Sequence, residues 1–412
     1  MLDEEVVDKV VERLVRRIEQ ANTYIIKEIG RSINEIGTIN PTKAQQLVQI
    51  LKYGGNYEKI TKEIAKITNK NINEIYEIYE EIAKNDYRFA KQFYDYRGKN
   101  YIPYKYNYAL QNQVNALANI TAQEYLNLTN TTALGFGFQN KEGNIVFKGI
   151  KDTYFDALDE AVLSVGQGKE TFESAMYRQL KGIAESGLKV IYPTTYIDKD
   201  GIEKHYVRRL DSAVRMNMKS ALRSLHNEMQ EQLGNEFGAD GVEISVHDNP
   251  APDHQDAQGK QFSNDEYKKL QETGRATTYD GIEIDMHIKG HFRPISEWNC
   301  YHYIFSIVLG VNKPQYSNNE LKKIIDNNNK GFDFEDKHYT MYEGTQLQRK
   351  IETEIRRQKD IQIGAKKSGL NDLMQDSETN IRLLSKKYRE LNKISGLKPK
   401  MDRLKVVGYK NG

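Results

Sequence analysis

Cysteine and tryptophan occur once each in the 412 residues, as Cys300 and Trp298. A single cysteine excludes an intrachain disulfide framework. No run of 18 apolar residues occurs, so no membrane-spanning helix is expected. The opening residues lack a charged stretch followed by an apolar run, so a secretory leader is not expected either. No glycine-rich phosphate loop, GxGxxG or GxSxG motif is present, and neither a nucleotide site nor an acyl-transfer serine announces itself. An excess of one charge is also missing. Lys+Arg number 60 and Asp+Glu 58, a net +2 that argues against a uniformly basic nucleic-acid binder. These absences lead us to expect a soluble chain made in a reducing cytoplasm.

What is present is charge and helical periodicity. Charged residues make up 29% of the chain and hydrophobic residues 38%, so many charges must lie on exposed helix faces. The balance is uneven: residues 346–412 carry 17 Lys+Arg and 8 Asp+Glu, a local +9, which leaves the rest near −7. Val7, Val11, Leu14, Ile18, Ala21 and Ile25 form a stripe at spacings of four and three. It suits a bundle or a coiled-coil partner. Gly30 to Gly37 should interrupt this helix, and Asn40-Pro41 should start the next. Gly54-Gly55 should end that one, a helix over 57–68 should follow, and Asn71 with Glu74 should cap a helix reaching Tyr96.

Residues 94–108 hold six tyrosines, which fit a stacking surface or, more simply, packing of a loop between helices. A helix over 108–127 precedes short β-like pieces. Residues 151–186 are helical in pattern, with Phe155, Leu158, Ala161 and Val162 on one side. Residues 188–207 read as a hairpin around a DKDG turn. A helix over 210–233 follows, with Asp211 in its first turn, and GVEISVHD reads as a strand. Two prolines within NPAPDHQDAQGK stop helix and ladder alike. Ser263 and Glu266 cap a short helix, and 345–389 is helical with a break at Gly369. There Glu352, Arg356 and Lys359 illustrate charge pairs at helical neighbour spacing. The expected fold is α+β and mostly helical: an N-terminal helical domain (1–130), a compact central α+β module (131–317), and a linker with a basic helical C-terminal arm (318–412).

The stretch 211–317 contains six of the eight histidines. Its chemistry-bearing residues are His247, Asp248, Asp253, His254, Asp256, Cys300 and His302. Three readings compete. His247, His254, Cys300 and His302 would supply four N/S ligands to a structural zinc ion, although the spacing is not that of a standard finger. His247-Asp248 would fit a metal hydrolase, which needs further ligands at matching positions. Or these groups hydrogen-bond to one another and to loop backbone, holding the module shut without metal and without catalysis. The third is the expectation, so no cofactor is expected.

Several blocks, in order, resemble the phage minor capsid protein 2 family, itself related more loosely to phage Mu F-like head-morphogenesis proteins. LDSAVRMNMKSAL, with Asp211 and Arg215, is similar to the family's hydrophobic-D-x-A-V-R helix start. SVHDNPAPDHQDAQGKQFS, with His247, Pro252, His254, Gln258, Gly259 and Lys260, is similar to its H-x-x-x-R-P-x-H-x-x-W-Q-G-K-x-Y-S. WNCYHYIFSIVLGVNKPQYS, with Asn299, Cys300 and His302, is similar to its N-C-R-H segment followed by P-x-Y. YEGTQLQRKIETEIRRQK and GLKPKMDRLKVVG resemble its last two blocks. The likeness runs from about Leu188 to Gly408. Ala257 stands where the family has tryptophan, and Tyr301 where it has arginine.

The resemblance implies a non-enzymatic structural component of a tailed-phage head, found in the virion and made in the bacterial host cytoplasm. Its implied partners are the portal protein and capsid subunits, with the N-terminal helices docking onto them. Residues 346–412 would face packaged double-stranded DNA, or else present a solvated helix face. The alternatives are a metal- or His-dependent nuclease or toxin-like enzyme, and a sequence-independent DNA-binding protein.

Overall fold

The computed structural model describes residues 4–37, 43–96, 98–140, 145–153, 156, 170–197, 201, 203–296 and 300–409. The Asn40-Pro41 start, the apolar set Phe155, Leu158, Ala161 and Val162, most of the DKDG turn, Trp298 and Asn299 lie outside them. The fold is α+β and mostly helical, as the sequence implies.

Helix α1 (Glu4–Gly37) buries its whole stripe: Val7, Val11, Leu14, Ile18, Ala21 and Ile25 are each at most 2% exposed. The stripe is spent inside the chain, against α2 (Lys43–Tyr96), α5 (Leu210–Phe237) and α8 (Met341–Ser368). Of the two readings of the stripe, the structure takes the bundle: it packs within the chain rather than against a coiled-coil partner. Helix α1 also runs through Gly30. A Cβ at Gly30 would lie 2.9 Å from the Gly364 carbonyl oxygen of α8, so this glycine serves a close helix crossing rather than a stop.

Helix α2 likewise continues through Gly54-Gly55 and past Asn71. An interior glycine costs only about 1 kcal/mol, which tertiary packing outweighs. Asn71 is not a cap. It is fully buried, and its Nδ2 donates to the Leu14 carbonyl oxygen at 3.1 Å and to the Tyr125 hydroxyl at 2.9 Å. Its Oδ1 accepts from Arg17 at 2.8 Å, and Glu74 pairs with Arg17 and Arg13. What reads locally as a capping box is a polar bolt joining α1, α2 and α3 (Tyr108–Leu128). The tyrosine segment divides: Tyr94 and Tyr101 pack edge-on at 5.5 Å, with Phe237 of α5 4.7 Å from Tyr94, while Tyr106 and Tyr108 are exposed.

Strands β1 (Leu134–Gln139), β2 (Ile145–Gly149), β3 (Lys189–Ile197) and β4 (Glu203–Arg209) form an antiparallel sheet in the order β2-β1-β3-β4, with α4 (Phe172–Ser186) between β2 and β3 in the chain. The expected hairpin is β3–β4. One large apolar core takes residues from all three expected segments: Val7 to Leu128, Leu134 to Met229, and Ile361, Ala365, Leu370 and Leu373.

A second, smaller core lies within 242–300. It is built on β5 (Gly241–Ile244), β6 (Gln261–Ser263) and β9 (Ile304–Ile307) in the order β6-β5-β9, with α6 (Asn264–Thr273) and the hairpin of β7 (Arg275–Thr277) and β8 (Glu283–Asp285). Ser263 caps α6 as expected, accepting from the Glu266 N–H at 3.2 Å. Beyond it come α7 (Asn318–Lys330), the hairpin of β10 (Phe332–Phe334) and β11 (Lys337–Tyr339), and an antiparallel pair of α8 with α9 (Asn371–Ser395). Gly369 divides that pair, in the left-handed conformation at φ 75°.

Helix α8 does not project. It packs on α1 and α4, and its Glu352 and Arg356 are 2% and 3% exposed, not members of a surface charge ladder. Glu352 instead accepts from the Tyr388 hydroxyl at 2.9 Å. Residues 397–409 then return to α1, where the Thr23 hydroxyl donates to the Val407 carbonyl at 2.9 Å.

Candidate functional site

The residues singled out from sequence fall into two buried clusters. The first is ionic and is organised by α5. Asp211, Arg215 and Lys219 recur every four residues and so share one face of that helix. Asp211 is 4% exposed. Its Oδ1 accepts from Arg209 Nε at 3.2 Å, and its Oδ2 lies 3.4 Å from Arg356 Nη2 of α8. Arg215 grips Glu12 of α1 with Nε at 2.7 Å and Nη2 at 3.1 Å, a two-pronged pairing that lysine could not reproduce. Lys219 pairs with Asp8, which also faces Lys400 at 3.2 Å and Arg403 at 3.6 Å from the C-terminal return.

Arg209 and Asn22 both donate to Asp360 Oδ2, at 3.2 and 3.1 Å, and the Asn22 side-chain oxygen accepts from the Leu188 N–H at 2.8 Å. Asp211 alone would be driven up by burial, yet Arg209, Arg356 and Arg215 hold its carboxyl far below the usual range. This hub ties α1, β4, α5, α8 and the C-terminal return together. Sequence reading missed Glu12, Glu19, Arg209 and Asp360. The available signal was charge set directly beside apolar stripes: Glu19 next to Ile18, Asp360 next to Ile361.

Among the described residues, Glu19 makes no ion pair at the hub, although Arg356 and Arg215 act on it from farther away. Burial, reinforced by Asp211 and Asp360, pushes its carboxyl up to about 8 against Arg356 and Arg215. Burial also lifts Asp360, to about 6. A carboxyl raised from 4.5 to about 8 binds a proton in the folded state that the unfolded chain has released. Its contribution is therefore fully present below pH 4.5 and is lost as pH rises through about 8. Between pH 6 and 8, where Asp360 has already titrated, the wild-type melting temperature should fall. In Glu19→Gln that slope should be reduced, a differential on the order of a few kcal/mol. Parallel wild-type and Glu19→Gln melting profiles over that range would contradict it.

The second cluster sits under the proline loop. His254, Cys300 and His302 are 1%, 1% and 2% exposed, and one ligand atom from each lies within 4.8 Å of the others. Cys300 Sγ is 3.5 Å from His254 Nδ1 and 3.4 Å from His302 Nδ1, and the His302 backbone N–H also points to it at 3.5 Å. His254 Nε2–H donates to the Arg293 carbonyl oxygen at 2.7 Å, which leaves Nδ1 as the atom facing sulfur. The His247 ring lies 4.5 Å from that of His302 but falls outside the three-residue group.

Burial opposes ionisation of the Cys300 thiol. The His254 imidazole and the N–H groups of His302 and Ser296 outweigh it and bring the thiol below its usual value. Burial, with His247, His254, Arg223 and Arg293 around it, keeps His302 well below the ordinary imidazole value and hence neutral. The Nδ1 atoms of His254 and His302 with one acidified thiol can either share hydrogen bonds or hold a metal ion.

The remaining motif residues build this loop. Pro252 stands at the second position of the turn closed by His254 N–H to Ala251 O at 3.0 Å, where a fixed φ is favourable. Asp253 takes both Arg293 Nε and Nη2, at 3.1 and 3.2 Å. Gln258 is buried and accepts the His247 N–H at 3.0 Å. Gly259 has φ 68°, and a Cβ there would collide with Leu321 and Val246. Lys260 reaches Asn318 at the start of α7. Asp248 is exposed and Asp256 is pushed up by burial; neither joins the metal-competent group. His226 is committed to Asp86 at 2.7 Å and His287 to Asp285 at 2.6 Å. Ala257 is fully buried, and the Tyr301 ring is faced by Lys219, Arg349 and Arg223 at 5.3, 5.5 and 5.9 Å.

Among the described residues, no helix is long and apolar enough to cross a membrane. No curated protein and no solved structure matches the chain. Residues 2–392 match the family of phage minor capsid protein 2, nearly end to end. The match takes in the His–Cys cluster, the ionic hub except for Lys400 and Arg403, and the N-terminal helices, which from sequence resembled the family in layout only. The chain belongs to the phage minor capsid protein 2 family, and its role is that of a structural capsid protein of the virion.

Proposed function

We propose that this protein is a head-morphogenesis component that associates with the portal vertex and the capsid interior during assembly, and that it carries out no catalysis. The family match over 2–392 is the observation that carries this reading. The two clusters are in keeping with it. Their polar groups are buried and engaged with one another, a position suited to holding helices and loops together rather than to turning over a substrate. A nuclease built on His254 and His302 would need those rings open to a phosphodiester, and both are sealed in the core. The experiment is head assembly with and without the portal protein. Heads lacking portal should lack this chain, and equal retention in both would remove the portal vertex from the account.

A contact with packaged DNA would draw on less than the whole +9 balance of residues 346–412. Part of that charge is consumed internally, by Arg356 on Asp211, Lys387 on Glu335, and Lys400 and Arg403 on Asp8. What faces outward is a stripe on α9. Arg382, Lys386, Arg389 and Lys393 are all exposed, at spacings of four, three and four along about 17 Å of helix. Among the described residues, only Lys386 has an ion-pair partner there, an i,i+4 contact with Glu390 at 3.7 Å. Four phosphate contacts would give log K a slope of about −3.6 against log salt. Replacing all four by glutamine should flatten the measured slope by about that amount while leaving the melting curve unchanged. A slope that stays the same would make the stripe a solvated helix face.

A further inference from the structure

We propose that His254 Nδ1, Cys300 Sγ and His302 Nδ1 are three ligands of a structural zinc ion, with His247 supplying the fourth. This goes beyond the capsid role and does not rest on it. It also departs from the metal-free knot expected from the sequence, for four geometric reasons.

The first is the set of distances. Tetrahedral zinc with Zn–S of about 2.3 Å and Zn–N of about 2.0–2.1 Å places sulfur and nitrogen about 3.5 Å apart. The two observed Sγ–Nδ1 separations are 3.5 and 3.4 Å. The second is convergence. Both Nδ1 atoms and the His302 backbone N–H turn to one sulfur, and a cation at that point would meet two imidazole lone pairs and a thiolate together. The third is orientation. His254 Nε2–H is held by the Arg293 carbonyl at 2.7 Å, the outer contact that fixes the tautomer and aim of a metal-bound imidazole. Arg293 in turn anchors Asp253, so the loop carrying His254 is pinned on both sides of the ring. The fourth is closure. All three groups are at most 2% exposed, as in a structural site rather than a catalytic one with an open coordination position.

One thiolate with imidazoles favours zinc over the hard cations, which take oxygen ligands. Asp253 is a poor fourth ligand. It is committed to Arg293 and stands 3.7 Å from His254 Nε2, the nitrogen turned away from sulfur. His247 has its ring 4.5 Å from that of His302 and its backbone N–H fixed by Gln258; its nitrogens fall outside the converging group, so its ring would turn inward to complete the set. An ion held there would join the loop after β5 to the segment entering β9. In a small core of ten buried apolar side chains, metal binding would be a sizeable share of the folding free energy.

The test uses the full chain, with zinc(II) and cobalt(II) as probes. Purified wild type should carry about one zinc per chain by elemental analysis, lose melting temperature on chelation, and regain it when zinc is added. Cobalt-substituted protein should show a thiolate-to-cobalt charge-transfer band. Cys300→Ser should abolish that band and weaken zinc binding by more than about 100-fold, since changes to outer contacts alone cost about 10–100-fold. His247→Ala should weaken binding but keep the band. Wild type that neither retains nor rebinds zinc, and melts identically with and without chelator, would overturn the proposal. So would unchanged zinc binding in Cys300→Ser and His302→Ala. If those variants do not fold, wild-type stoichiometry and the cobalt band decide the question by themselves.

Discussion

Replacing Asp211 by alanine should destabilise the protein by about 3–5 kcal/mol, because it leaves two buried guanidinium groups without their shared anion. Arg209 and Arg356 both turn to that carboxylate, from β4 and from α8, at 3.2 and 3.4 Å. Neither can swing to water: their side chains are 11% and 4% exposed. The loss should appear as a lower denaturation midpoint of the transition that unfolds the large core. A double-mutant cycle isolates the cause. With Arg356→Met, the two costs should fall short of additivity by 0.5–3 kcal/mol, roughly the range for residues in one network. Strict additivity would mean that Asp211 acts through its helix terminus alone, worth about 0.3–1 kcal/mol.

The Leu14→Asp, Ile18→Asp pair should be at least as damaging, with a cost above about 4 kcal/mol. Both residues lie at the centre of the α1 stripe, 0% and 1% exposed. A carboxylate at either position is cut off from water and must either ionise in the core or bind a proton; at 18 it would also stand beside Glu19, Asp211 and Asp360 of the hub. Because this stripe packs within the chain, the defect should appear in the isolated protein, as aggregation or a melting temperature lower by about 5 °C or more, roughly what such a loss gives in a large cooperative unit. Wild-type melting combined with failure to enter heads would instead mean that the stripe meets a partner.

The contrast between these two sites shows what the sequence could convey. The α1 stripe was legible because helical packing repeats every three or four residues, so burial leaves a local pattern. The hub was not legible as a hub. Glu12 and Arg215 are 203 residues apart, and Asn22 and Asp360 are 338 apart. A charge beside an apolar stripe can hint at burial but not at which distant residue it meets, which is why Glu352 and Arg356 read as a pair at helical neighbour spacing. The family resemblance drew attention to Asp211 and Arg215 without saying what they touch.

Glycine and asparagine misled for a related reason. Gly30 and Asn71 carry the local signature of helix ends. Their roles are a close crossing with Gly364 and a buried bond to Leu14 and Tyr125, and both depend on elements distant in sequence. The His–Cys cluster was half legible: Cys300 and His302 are neighbours, but that His254 meets them depends on how the proline loop folds back 46 residues earlier.

Whether the chain has a structural place in the phage head is decided by quantitative mass spectrometry of purified virions and proheads. Intact chain should be present in both particles, at a small fraction of the major capsid subunit and in fixed ratio to the portal protein. Its absence from virions and proheads alike, with the protein found only in the infected-cell lysate, would exclude a structural role.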